Sequence, residues 1–185
     1  MTFLLKVAEQ LRQIRERQFK SAANLILATK GLGIVFCVGA GGSSATMSHM
    51  TSDLANLGIM SYCLTDNVPR LTALTNDYGW ETIYRTMLTN FVKKDDLLII
   101  ASVNGSSGKS GAGKAWSSNL YDLTQFFNEK DANILSIVGN DGGSLEELSD
   151  LCICIPSKDP YVVEGIHSMI AHGICDALKR RLQDD

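Results

Sequence analysis

Two pairs of side chains at helical spacing could carry acid–base or metal chemistry. His49 and Asp53 lie four residues apart in a segment with a helical pattern, so they share one face of that helix. Glu164 and His172 lie eight residues apart in the last helical segment, within about 80° of each other around its axis. If the two helices meet, these imidazoles and carboxylates can hold a divalent metal ion or act as general acid and general base. Pairs at this spacing also occur as plain surface hydrogen bonds, so both interpretations stay open.

Three glycine-rich segments each follow a predicted strand: GAGGSS at 39–44, NGSSGKSGAGK at 104–114 and GNDGGS at 139–144. Glycines let the backbone come close to an anion, to which serine hydroxyls and free helix N–H groups donate hydrogen bonds. One such loop could be an ordinary turn, but three at one sheet edge predict a phosphorylated ligand. Neither nucleotide fingerprint is complete, because Ala115 follows the GxxxxGK run and Ser44 replaces the third glycine of GxGxxG.

Short apolar runs alternate with helical patterns along the chain. The runs cover 33–39, 59–65, 96–103, 133–139 and 151–156. The helical patterns cover roughly 3–29, 43–57, 79–92, 114–129, 144–148 and 161–182. Most runs are apolar throughout, as in strands buried on both faces of a parallel sheet. The alternation predicts an α/β fold, a doubly wound, five-stranded parallel sheet flanked by helices and flavodoxin-like, with ligands outside the carboxyl ends of the strands.

Composition excludes several classes of partner. The length of 185 residues fits one domain over 1–185, and a net charge of −3 without a long basic run argues against nucleic-acid binding. Five cysteines, an odd number without a CxxC pair, indicate a reducing compartment. No apolar run reaches the roughly 18–20 residues that span a bilayer, and the first segment becomes charged too early for a signal peptide. We therefore expect a cytoplasmic protein with no membrane partner.

Five segments resemble, in order, the sugar isomerase (SIS) domain, and are most similar to the phosphoheptose isomerases. They read GAGGSSATMSHMTSDLANLG, LTNDYGWETIY, IIASVNGSS, IVGNDGGSLEELSDLCICIP and VVEGIHSMIAHGICDAL. The resemblance implies an aldose–ketose isomerase that interconverts sedoheptulose 7-phosphate and a heptose 7-phosphate through a cis-enediol. Two alternatives stay open: a non-catalytic SIS regulator or replication-initiator-associated protein that binds a sugar phosphate, and an isomerase of another sugar phosphate.

The resemblance also implies roles for single residues. Asp53 and His172 match the acid–base pair, and His172 suits the base. His49, Asp53, Glu164 and His172 match the ligands of a divalent metal, with zinc as first choice. Asp53 stands where the family has Glu, which shortens its reach by about 1.5 Å. Glu164 stands where the family has Gln, and the added negative charge favours a cation.

Substrate-binding positions follow from the same resemblance. The segment SVNGSS matches the phosphate loop STSGNS of the family, and about ten additional residues follow it. The implied substrate-binding residues are Gly41, Gly42, Ser43, Asp77, Ser102, Asn104, Ser106 and Ser107.

The first helical segment points to self-association. Over 3–29 it carries several apolar residues: Phe3, Leu4, Leu5, Val7, Leu11 and Ile14. Related isomerases are tetramers whose subunits complete each other's sites, so the resemblance implies a homotetramer that uses this helix. An amphipathic helix packed on its own sheet is the alternative.

Overall fold

Five parallel strands form the centre of the fold, in a computed structural model that describes residues 2–106 and 117–184. They are β1 (Val35–Gly39), β2 (Ser61–Cys63), β3 (Leu97–Ser102), β4 (Asn133–Gly139) and β5 (Leu151–Ile155). Their order across the sheet is β2-β1-β3-β4-β5, and all neighbours run parallel. This is the flavodoxin-like order. The predicted fold class and all five predicted strands are confirmed.

Successive side chains of each strand enter two different apolar layers. Leu97, Ile99 and Ala101 of β3 lie in one core cluster, whereas Leu98 and Ile100 lie in the other. All five are completely buried. Because both faces of the sheet are covered, the strands carry apolar residues at most positions and do not alternate with polar residues.

Eight helices are found in the part of the chain that the structure describes. They are α1 (Phe3–Leu11), α2 (Glu16–Thr29), α3 (Gly42–Asn56), α4 (Val68–Tyr78), α5 (Ile83–Leu88), α6 (Ser118–Glu129), α7 (Gly143–Leu148) and α8 (Pro160–Asp184). Helices α2, α3 and α8 cover one face of the sheet, and α5, α6 and α7 cover the other. None of these helices has both the length and the apolarity that crossing a bilayer requires.

The predicted single helix over 3–29 is wrong at its centre. The first helix ends at Leu11, and Arg15 is extended (φ −110°, ψ 134°) before the second helix begins. The Arg15 backbone N–H donates to Gln18 Oε1 (2.8 Å) and so caps the new helix. No Gly or Pro lies at this break in the helix. Tertiary contacts accompany it, since α1 packs beside α8 and Lys6 pairs with Asp159 (3.0 Å).

The predicted helix over 79–92 is also misplaced. Only the short helix α5 lies within this range, and α4, which ends just before Gly79 (φ +86°), was not predicted. Helix α4 begins at an N-terminal capping signal, which apolar periodicity alone does not detect. Asn67 Oδ1 accepts a hydrogen bond from the Arg70 N–H (3.1 Å), and Pro69 lies in the first turn. The remaining predicted helices are found, with part of 114–129 lying outside the described residues.

The chain leaves the central strands towards opposite faces of the sheet. Helix α3, after β1, joins one apolar layer, whereas α6, which follows β3, joins the other. Such a divergence opens a crevice at the carboxyl ends of β1 and β3, where parallel α/β proteins bind ligands. The glycine-rich segment at 39–44 and the start of the segment at 104–114 both lie there.

Candidate functional site

Three residues of the predicted cluster meet on the surface where α3 and α8 pack together. His49 Nε2 lies 3.2 Å from His172 Nε2 and 3.6 Å from Asp53 Oδ2. His172 Nε2 lies 3.9 Å from the same carboxylate oxygen. The two imidazole rings are nearly perpendicular, with centroids 5.3 Å apart. The three polar atoms therefore form a small triangle that faces outwards.

The triangle has the dimensions of a ligand set. A tetrahedral ion with ligand bonds of ~2.0–2.1 Å places its ligand atoms about 3.3 Å apart. The observed separations of 3.2, 3.6 and 3.9 Å require only small side-chain adjustments to match this spacing. Two imidazole nitrogens and a carboxylate oxygen are also donors that zinc accepts. Within the described residues, His49, Asp53 and His172 are the group that could hold a metal ion.

Glu164, the expected fourth member, lies apart from this group. Eight residues separate it from His172, which corresponds to about 12 Å of helix rise. Its Oε1 accepts a hydrogen bond from the Gly42 N–H (3.2 Å), at the start of α3. The shared helix face was therefore predicted correctly from the spacing, but the two residues lie at different levels along α8. The carboxylate acts as a cap for α3, where a negative charge is favourable.

The side chain of Ser43 turns inwards, away from solvent. Its Oγ lies 3.1 Å from His167 Nδ1, and both residues are completely buried. Burial lowers the pKa of His167 to about 4, so its ring is neutral at physiological pH. His167 Nε2 has no hydrogen-bond partner in the described part of the chain. Sequence reasoning assigned His167 no role, although it lies one helical turn after Glu164 and so faces the same helix.

A second polar contact fixes the first turn of α3 from the other side. Ser44 Oγ donates to Thr65 Oγ1 (2.7 Å), just beyond β2, and Cys63 Sγ lies 3.2 Å from the same Thr65 oxygen. The start of α3 is thus held by side chains after β2 and from α8. Thr65 was not singled out from the sequence, since an isolated threonine after a strand carries no spacing signal.

The predicted phosphate loop is tightly packed against the loop before α7. Gly105 has a φ of +64°, and a Cβ there would lie 1.9 Å from the Gly142 carbonyl oxygen. Its own carbonyl accepts the Leu145 N–H (3.0 Å). This close approach requires glycine and holds the two loops together at the sheet edge.

The serines and Asn104 of this loop differ in exposure. Ser102 and Ser106 are buried, and Ser106 Oγ donates to the Ser117 carbonyl (2.8 Å). Asn104 is exposed. Ser107 lies outside the described residues. The Asn104 side chain is therefore open to solvent, while buried Ser106 ties the loop to the start of α6.

Asp77 lies at the end of α4 and is exposed. Its Oδ1 accepts a hydrogen bond from Asn76 Nδ2 (3.0 Å). Within 2–106 and 117–184, no hydrogen bond or ion pair joins it to the residues of α3 or α8. Within the described part of one chain, Asp77 is therefore not linked to the α3–α8 cluster by a direct polar contact.

A buried thiol lies beneath the cluster. Burial, with a smaller contribution from the negative charge of Asp53, raises the pKa of Cys175 to about 12. The thiol is therefore protonated at neutral pH. All five cysteines are free.

A cavity of about 950 Å³ opens at the opposite, amino-terminal edge of the sheet. Met60, Met87 and Phe91 contribute to its apolar wall. Asp96, which also lines it, already accepts hydrogen bonds from the backbone N–H groups of Ile34 (2.8 Å) and Lys93 (2.7 Å). Arg70 and Lys93 also line the cavity, and none of its described lining residues is a histidine, so its charged groups differ from the His–Asp–His set of the α3–α8 cluster.

The chain is similar over nearly its whole length to known bacterial proteins. It is 30% identical over 185 residues to the phosphoheptose isomerase of Geotalea daltonii, with 96% of this chain and 91% of that protein covered. It is 29% identical over 178 residues to the phosphoheptose isomerase of Geobacter metallireducens, with 92% and 88% covered. No protein-family model matches the chain.

The fold also has a solved counterpart. The structure of a phosphoheptose isomerase from Neisseria gonorrhoeae superposes with a TM-score of 0.84, covering 95% of this chain and 92% of that one. The two sequences are 22% identical. This likeness shows that the arrangement of strands and helices is shared.

Proposed function

The chain belongs to the phosphoheptose isomerase family, and we propose that it isomerises sedoheptulose 7-phosphate to a heptose 7-phosphate at the cluster of His49, Asp53 and His172. The observation that carries this proposal is the convergence of the three side chains within hydrogen-bond or ion-pair distance. A sugar-phosphate-binding regulator needs no such cluster. An isomerase needs groups that exchange protons beside the reacting carbons.

Asp53 and His172 are the proposed acid–base pair. The reaction moves a proton between C1 and C2 through a cis-enediol, and a proton must also reach the carbonyl oxygen. Imidazole exchanges protons near neutral pH, so His172 Nε2 takes the proton from carbon and returns it to the neighbouring carbon. Asp53 Oδ2 faces the two imidazoles, which leaves Oδ1 to transfer the proton at oxygen.

We further propose that His49, Asp53 and His172 hold one divalent ion, with zinc the first candidate. The triangle of donor atoms fits the spacing of such an ion, and the two imidazoles already adjoin a carboxylate. When bound, the ion would polarise the substrate carbonyl. An imidazole nitrogen that coordinates an ion carries no proton, so zinc and a proton compete for His172 Nε2. Dependence of the activity on metal therefore shows which form is active.

The phosphate of the substrate is proposed to bind at the loop after β3. Asn104 is exposed there, Ser102 and Ser106 support it, and Ser107 follows directly in sequence. The loop lies at the crevice between β1 and β3, beside Gly41 and Gly42 at the start of α3. Binding the phosphate away from the reacting carbons would orient the sugar chain. Ser43 and Asp77 complete the proposed sugar-binding set, the first through its backbone because its side chain is buried.

We propose that four copies of the chain assemble and cover the cluster. The side chains of His49 and His172 are 60% and 55% exposed, so a single chain leaves the site open. Phe3, Leu4 and Leu5 are also exposed on α1, which buries none of its residues. Light scattering should give four times the chain mass, and a stable monomer at micromolar concentration would contradict this arrangement.

The proposed compartment is the cytoplasm. All five thiols are free, although Cys152 and Cys154 lie partly exposed on the edge strand β5. Free thiols persist in a reducing environment.

A coupled assay over five-, six- and seven-carbon ketose phosphates tests the function. The protein should be freed of metal with EDTA and assayed with and without one equivalent of zinc. We expect turnover of sedoheptulose 7-phosphate. Activity that only zinc restores would make the ion-bound form the active one, with His172 as a ligand, whereas activity that persists after EDTA would leave His172 Nε2 free to act as the base. Preference for a shorter ketose phosphate would replace sedoheptulose 7-phosphate as the proposed substrate. Absence of turnover in both conditions would overturn the isomerase proposal.

Glu164 should contribute to the stability of α3 and not to metal affinity. Glu164→Gln keeps an oxygen for the Gly42 N–H, so zinc affinity should change by less than about threefold. Glu164→Ala removes the acceptor and should lower the free energy of unfolding by about 1 kcal/mol. Isothermal titration and urea denaturation measure the two effects, with His49→Ala as the variant that should lose zinc. A tenfold loss of affinity in Glu164→Gln would show that Glu164 joins the ligands.

A further inference from the structure

Helices α3 and α8 together carry the whole cluster, so their relative position decides its geometry. Their contacts occur in the same order along both helices. Gly42 meets Glu164 and, further along, His49 meets His172. Between these contacts lies the buried pair of Ser43 and His167. The helices therefore run side by side in the same direction, and sliding one along the other would separate the two exposed imidazoles.

Most of the packing between the two helices is apolar. Met47 and Met50 of α3 lie in the same core cluster as Ile166, Ile170 and Ile174 of α8, and all five are buried. Apolar burial holds the helices together, but it has no direction of its own. Small shifts along the helix axes can preserve such contacts, whereas a hydrogen bond between two fixed side chains cannot tolerate them.

Ser43 and His167 supply a directional contact in the interior. Their polar atoms lie 3.1 Å apart, and neither residue is exposed to solvent. His167 Nε2 has no partner among the described residues, so one of the two ring nitrogens is buried without a hydrogen bond there. An apolar side chain of similar volume would avoid this desolvation cost. The contact with Ser43 is therefore the feature that distinguishes a histidine from an apolar residue at this position.

We infer that His167 is a positioning residue, whose contact with Ser43 sets the axial register of α3 against α8 and so keeps His49 beside His172. Its catalytic consequence rests on the proposed isomerase function. His49 lies six residues beyond Ser43, and His172 lies five residues beyond His167. These separations correspond to about 9 Å and 7.5 Å of helix rise. Over such short lengths a helix behaves as a rigid rod and passes a displacement on undiminished.

The glycine-rich segment should move together with Ser43. A Cβ at Gly39 would lie 2.7 Å from the Ser43 carbonyl carbon, which shows how closely the chain folds back here. Gly41, between them, has a φ of +60°. A displaced Ser43 would therefore also shift the backbone that faces the sheet edge. His167 acts on the site only through these neighbours and is not itself in contact with the cluster.

Three variants separate the hydrogen bond from simple filling of space. His167→Phe keeps a ring but no polar atom, Ser43→Ala removes the partner, and His167→Asn places an amide near the position of Nδ1. We expect His167→Phe and Ser43→Ala each to lower kcat about 30- to 100-fold with KM changed less than threefold, because misplacement by about 1 Å costs this much. His167→Asn should restore kcat to within about fivefold of the wild type. The kcat of the double variant should be no lower than that of the less active single variant, since both substitutions remove the same contact.

A second readout does not depend on catalysis. The chain has three histidines, so a spectrum of histidine-labelled protein is simple to assign. The rings of His49 and His172 are close enough for a nuclear Overhauser contact, which should disappear in His167→Phe and Ser43→Ala and remain in His167→Asn. If the wild type isomerises no sugar phosphate, the proposed function fails, yet this measurement still tests the positioning role.

Clear results would overturn the inference. A folded Ser43→Ala protein with wild-type kcat and an intact contact between the two rings would contradict it. This test remains available if His167→Phe does not fold. Failure of His167→Asn to restore the ring contact would equally contradict it. Additive losses in the double variant would mean that the two residues act separately.

Discussion

A His172→Gln variant should lose at least about 1,000-fold in kcat for the sugar phosphate, with little change in KM. General acid–base groups contribute about 100- to 10,000-fold. Glutamine can still form a hydrogen bond with His49, whose Nε2 lies 3.2 Å from that of His172, but it cannot exchange a proton near neutral pH. The proposed phosphate loop follows β3 and does not contain this residue, so ground-state binding should persist.

The measurement is steady-state kinetics with matched variants on the same two helices. Lys179→Gln, an exposed residue two turns further along α8, should stay within twofold of the wild type. Asp53→Asn should lose as much as His172→Gln, and the double variant should lose little more because the two residues act as a unit. Asp53→Glu should retain at least about a tenth of the activity, since its carboxylate reaches the same nitrogens. A His172→Gln enzyme within tenfold of the wild type would remove His172 from the reaction.

The second large effect concerns stability in acid and again involves His167. Burial lowers the pKa of His167 to about 4 in the folded chain, against about 6.5 for an exposed imidazole. Between these values the unfolded chain binds more protons than the folded chain, so stability rises with pH and is lost as pH falls. Lowering the pH from 7 to 4.5 should therefore cost roughly 2 kcal/mol of the free energy of unfolding through this one group.

Urea denaturation of the wild type and His167→Asn at both pH values isolates this contribution. Asparagine does not titrate, so the difference in unfolding free energy between the two proteins should shift by roughly 2 kcal/mol in favour of the variant at pH 4.5. Other titrating groups are common to both proteins and cancel in the comparison. Equal acid destabilisation of the two proteins would show that His167 is not held neutral in the folded chain.

Local features of the site followed directly from the sequence. His49 and Asp53 were predicted to share a helix face because four residues span about one turn, and the structure places their polar atoms 3.6 Å apart. The parallel sheet followed from apolar runs between helical segments, since each type of element has its own periodicity. These inferences needed only contacts between residues close in sequence, or patterns repeated along it.

Contacts between distant segments were harder to predict. Glu164 and His172 share a face of α8, but they lie at different levels along the helix. The Glu164 carboxylate accepts a hydrogen bond from the Gly42 N–H instead of joining the cluster. The break after Leu11 contains no Gly or Pro, and α1 packs beside α8, a segment distant in sequence. Neither feature has a local signal.

By itself, the sequence determined the α/β class, the strand-to-helix order and the pairing of His49 with Asp53, because backbone periodicity and helix geometry act over a few residues. Only the tertiary structure decided that His172 completes the group, that Glu164 caps α3, and that His167 is buried against Ser43. These outcomes depend on the axial register of α3 against α8. That register is set by the packing of side chains more than a hundred residues apart, and no periodicity within either helix encodes it.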